Sequence, residues 1–106
     1  MALFFVRATV TPPADMPART LYEIWDREAQ AALKAMEAGV IKGLWKVAGQ
    51  RVVIGILDLP DGDAIDQAIA SLPIMQEMGP SVSWEVLPVR PYENFAADLR
   101  KAVCGS

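Results

Sequence analysis

An α+β fold with its elements in the order β-α-β-β-α-β is what this sequence of 106 residues predicts. Three observations carry the prediction. The chain opens on strand-like alternation, a long helical stretch closed by Gly39 follows, and a hairpin, a second helical stretch and a last alternating strand complete the order. That order matches the split β-α-β, or ferredoxin-like, arrangement, an antiparallel four-stranded sheet with both helices on one face.

The first strand covers Leu3 to Thr11, with Phe4, Val6, Ala8 and Val10 alternating against Phe5, Arg7, Thr9 and Thr11. Pro12-Pro13 ends it, and Asp15 followed by Pro17 supplies a helix start, because proline is tolerated in the first turn. The helix is expected from about Met16 to Ala38 and ends at Gly39. Ile41 to Val47 and Arg51 to Asp58 are short apolar runs joined by Ala48-Gly49-Gln50, which reads as a hairpin. Leu59-Pro60-Asp61-Gly62-Asp63 breaks the strand and offers aspartate caps to a second helix, Ala64 to Leu72, and the chain turns again at Pro73. Ser81 to Val89 alternates Val82, Trp84 and Val86 against Ser83, Glu85 and Leu87, the fourth strand. Beyond Pro91 the pattern fits a short amphipathic helix, Tyr92 to Val103.

This length fits one domain, read as residues 1–91, with 92–106 as a tail whose helix packs on a partner subunit. The hydrophobic fraction of 53% is high for a monomer of this size, and helices on one sheet face leave the other uncovered. The expectation is a homo-oligomer built from dimers that pack sheet to sheet around a cavity lined by strand residues such as Arg7. Apolar runs are too short for a membrane helix, and the first residues lack the basic leading region of a secretory signal, so the cytoplasm is the expected location. A charge of -3 with no basic run argues against nucleic acid as a partner. One cysteine, Cys104, and no histidine argue against an internal disulfide, a zinc site or a histidine triad.

Leu3-Phe4-Phe5-Val6-Arg7 and Thr9 to Met16, then Glu37-Ala38-Gly39, Leu44-Trp45-Lys46-Val47-Ala48-Gly49, Asp58-Leu59-Pro60 and Ser71-Leu72-Pro73 form a series over about residues 3 to 91. In order and spacing the series resembles the muconolactone isomerase family. The resemblance implies a dimeric α+β barrel that needs neither metal nor organic cofactor. It also implies a proton shift along a small, anionic unsaturated lactone in aromatic catabolism. Barrel relatives leave open a cofactor-free monooxygenase, a dehalogenase, or a non-catalytic protein that binds a small ligand. Phe5 and Gln50 stand where family members often carry histidine or another polar side chain.

A proton shift beside a conjugated carbonyl needs one base that can return the proton, and groups that hold the enolate-like oxygen. Glu28 is the candidate base. At 100° per residue it falls on the apolar arc of Leu21, Ile24, Trp25, Ala32 and Met36, where desolvation raises a carboxylate's pKa; the alternative is a pair with a basic residue of the sheet. Arg7, at a position that is basic in the family, is read either as a fork for a substrate carboxylate or as a partner of Glu28 or Glu85. Lys46 is a second candidate cation, read as sharing a strand face with Lys42 and Leu44. Trp45 and Trp84 are read as an aromatic wall or as core or interface packing, and Tyr22 as a hydroxyl donor or as helix-to-sheet packing. Met75 and Met78 suit an adaptable lid or plain packing.

Overall fold

The computed structural model describes residues 2–105. Its elements run β1 (Ala2–Val10), α1 (Ala18–Glu37), β2 (Ile41–Lys46), β3 (Val52–Leu59), α2 (Gly62–Ala70), α3 (Pro73–Met78), β4 (Val82–Val89) and α4 (Tyr92–Cys104). The strands form one antiparallel sheet in the order β2-β3-β1-β4, so β1 lies between its sequence-distant partners. This is the expected ferredoxin-like arrangement.

Alternation along β1 sorts the two faces. Phe4, Val6, Ala8 and Val10 are buried, and they cluster with Leu21 and Ile24 of α1, Ile65 of α2 and Ile74 and Met78 of α3. Leu21 and Ile24 are 3% and 5% exposed, and burying each such side chain contributes about 1.5–3 kcal/mol. Leu3, Phe5, Arg7 and Thr9 point to the other face, which no helix among the described residues covers.

Local signals account for most boundaries. Gly39 has φ +82°, and the N–H groups of Gly39 and Val40 donate back to the carbonyls of Met36 and Ala35, so α1 stops where a left-handed residue is available. Helix α2 starts two residues before the expected Ala64, because the carboxylate of Asp61, and not a later one, accepts from the Ala64 N–H at 2.9 Å. Helix α3 forms where the sequence suggested only a turn, with Pro73 at its first position.

Helix α4 extends the chain to 61 × 26 × 21 Å, and every one of its residues is exposed. Only local contacts secure its start: Arg90 pairs with Asp98 at 2.8 Å and lies over the Phe95 ring. Among the described residues, no helix is long and apolar enough to cross a membrane.

Candidate active site

A cavity of about 280 Å³ lies between the helices and the sheet. Alanines make the room. Ala29, Ala32 and Ala35 present small side chains from α1 toward Val6 and Ala8 of β1, where larger residues would fill the gap. Leu72 and Ile74 close one side, and Leu44 and Val53 border the cavity from β2 and β3.

Among the described residues, two charged ones line this apolar space, Glu28 and Lys46. Glu28 sits one turn beyond Ile24 and Trp25, so helical periodicity turns it inward. Its Oε1 accepts a hydrogen bond of 3.0 Å from the Ile74 N–H. Pro73 has no N–H, so Ile74 supplies the first free donor of α3, and Glu28 caps that helix from a distant part of the chain. Burial pushes the carboxyl above its ordinary pKa, and the Ile74 hydrogen bond opposes this without offsetting it. Glu28 pairs with no cation among the described residues, so the sheet-paired alternative is not the arrangement found.

Lys46 stands opposite Val53 and Leu44 opposite Gly55, so both lie on the helix-covered face. Lys42 does not share it. A register shift between Ile41 and Gly43 removes Lys42 from the alternation, and its ammonium lies 3.9 Å from Asp58, which faces the uncovered side. The Lys46 Nζ donates to the Val47 carbonyl at 2.8 Å.

The aromatic candidates separate. Trp84 forms part of the cavity wall, and its indole N–H points to the Met75 sulfur at 3.1 Å. Trp45, opposite Ile54, belongs to the uncovered face, is 58% exposed, and borders the cavity at the β2 edge with its ring over Gly43. Tyr22 is 67% exposed on the outer side of α1, beside Arg19, Glu23 and Asp26, where it neither reaches the cavity nor packs on the sheet. Arg7 lies on the uncovered face, its guanidinium 2.6 Å from Glu85 and over the Phe5 ring, across the sheet from the cavity. Gln50 is exposed in the hairpin turn.

Sequence reasoning missed the Ile74 N–H and the alanine row. Signals for both exist: Pro73 is a residue favoured at a helix start, and Ala29, Ala32 and Ala35 recur at helical spacing on the Glu28 side. Among the described residues, no group of three or more His, Cys, Asp or Glu is placed to hold a metal ion.

A family profile described as Muconolactone delta-isomerase matches residues 2–94. The Muconolactone Delta-isomerase of Pseudomonas aeruginosa is 29% identical over 76 residues, 72% of this chain and 79% of that one. A Rhodococcus opacus protein of the same name is 27% identical over 89 residues, 84% of this chain and 91% of that one. The crystal structure of muconolactone isomerase at 3.3 Å resolution superposes with a TM-score of 0.71 at 26% identity, covering 84% of this chain and 88% of that one.

Proposed function

Because the chain belongs to the muconolactone delta-isomerase family, we propose that it is an isomerase that moves a proton on a small unsaturated lactone, or a related enolisable carbonyl compound, in aromatic catabolism. One observation carries the reading. A single partly buried carboxylate lines an apolar cavity, its pKa is raised, one oxygen is held by the Ile74 N–H, and the other makes no hydrogen bond among the described residues.

The free oxygen of Glu28 takes a proton from the carbon next to the conjugated system. The C–H electron pair moves toward the carbonyl oxygen as an enolate, and the same carboxyl returns the proton to a carbon further along. Atoms and charge balance without a redox step. A raised pKa suits both halves, since the base must accept the proton and then release it. Lys46, the one cationic residue lining the cavity among the described residues, meets the substrate's negative charge in this reading once its ammonium leaves the Val47 carbonyl.

Glu28→Gln preserves volume and an acceptor for the Ile74 N–H but removes the base. With muconolactone as substrate, turnover should fall by roughly 10² to 10⁴. In deuterated water the native enzyme should place deuterium at the reacting carbon, and the variant should not. Turnover within a few-fold of the native protein would dismiss Glu28 as the base, and tight binding without turnover by the native protein would make it a ligand-binding protein.

A further inference from the structure

Helix α3 has six residues, too few to persist through its own hydrogen bonds, and its N-cap residue Leu72 contributes no side-chain bond. Besides the Trp84 indole N–H on the Met75 sulfur, its side-chain polar ties come from two consecutive residues of α1. Glu28 turns inward and accepts from Ile74 in the first turn of α3, while Arg27 turns outward and grips Glu77 in the last. The grip is two-pronged, with Arg27 Nε 2.8 Å from Glu77 Oε2 and a terminal nitrogen 2.5 Å from Oε1. A planar fork on a carboxylate fixes orientation as well as distance.

We infer that Arg27 and Glu77 are positioning residues: their ion pair holds α3 against α1 so that the Ile74 N–H stays on one oxygen of Glu28 and the other remains turned to the cavity. The inference rests on the proposed role of Glu28. Neither residue lines the cavity, and the pair is too exposed to matter much for global stability, so its effect falls on geometry.

The surroundings make the test clean. β2 contributes Lys46 to the cavity, whereas β1, β3, β4, α2 and α3 contribute no titratable lining side chain. Arg27 holds the Glu77 carboxyl below its ordinary pKa, so the pair stays charged while Glu28 titrates.

The measurement is a carbon-13 NMR titration of the Glu28 carboxyl in the native protein, in Arg27→Met, in Glu77→Ala, and in the exchanged pair Arg27→Glu with Glu77→Arg. Loss of the grip frees the Ile74 N–H, whose hydrogen bond lowers the Glu28 pKa, so the midpoint should rise in both single variants and return toward the native value in the exchanged pair. Turnover should fall by roughly three- to tenfold in the single variants, with the acid limb of its pH profile moving upward alongside the midpoint. Simple charge effects predict opposite signs, up on removing Arg27 and down on removing Glu77. That pattern, or no movement in either variant, would overturn the inference. The Glu28→Gln turnover decides the identity of the base separately, whatever the midpoints do.

Discussion

The raised pKa of Glu28 has a consequence for stability as well as for chemistry. The native state keeps its proton at pH values where the unfolded chain has already released it, so stability falls as pH rises from the ordinary carboxylate value through the raised folded one. Above that window the ionised carboxylate costs the fold its desolvation. Glu28→Gln removes this pH dependence while keeping an acceptor for Ile74. Thermal unfolding should therefore give the variant a higher Tm than the native protein at pH 8 and nearly the same Tm at pH 4, with the gap opening between. A lower Tm at pH 8 would mean that the charged cap on α3 outweighs the burial cost. Glu28 was legible in the sequence because helical periodicity alone places it on the inner arc. Arg7 was legible only as a face: alternation put it on the uncovered side, but its neighbours there, Glu85 and Phe5, depend on strand pairing.

At the level of elements, boundaries with local chemistry were readable and those made by tertiary contact were not. Gly39 and the aspartates after Pro60 announce themselves, because the residue that ends or caps each helix is in the same stretch of chain. Helix α3 does not, because its cap arrives from α1, 46 residues away. The β2 register was hidden for a related reason: the shift between Ile41 and Gly43 exists only against β3, and it separates Lys42 from Lys46 where plain alternation would unite them. The Asp61 cap offers a direct check. Asp61→Ala loses the bond to the Ala64 N–H and should lower stability by about 1 kcal/mol in denaturant unfolding. Turnover should be nearly unchanged, because α2 contributes only Ala68 and Ile69 to the cavity, several residues beyond the cap. A turnover loss matching that of Glu28→Gln would show that α2 controls the site more closely than its packing suggests.

Across the described residues the chain is more extended than a compact domain of its length. Its radius of gyration is 16.9 Å, against about 13 Å for a compact domain of this length. The fully exposed helix α4 accounts for the difference, and two surfaces hold the excess of apolar residues. The uncovered sheet face carries Leu3, Phe5, Ile54, Ile56 and Leu87, and α4 carries Tyr92, Phe95, Leu99 and Val103, all exposed, along one side. Tyr92 and Val103 are 71% and 79% exposed. Exposed apolar surface of this extent is costly in water, and a second copy offers matching surfaces, since a twofold interface sets the same face against itself. The chain is therefore expected to assemble from dimers, with sheet faces together and α4 lying on a neighbour. Light scattering at micromolar concentration should find no stable species at the 11.5 kDa of a single chain. Removing residues 92–106 should weaken the assembly while leaving the antiparallel sheet intact by circular dichroism, because α4 contributes nothing to the buried core. A monodisperse, fully folded monomer would mean that both apolar surfaces stay in water, and the sheet-to-sheet dimer would fall with it.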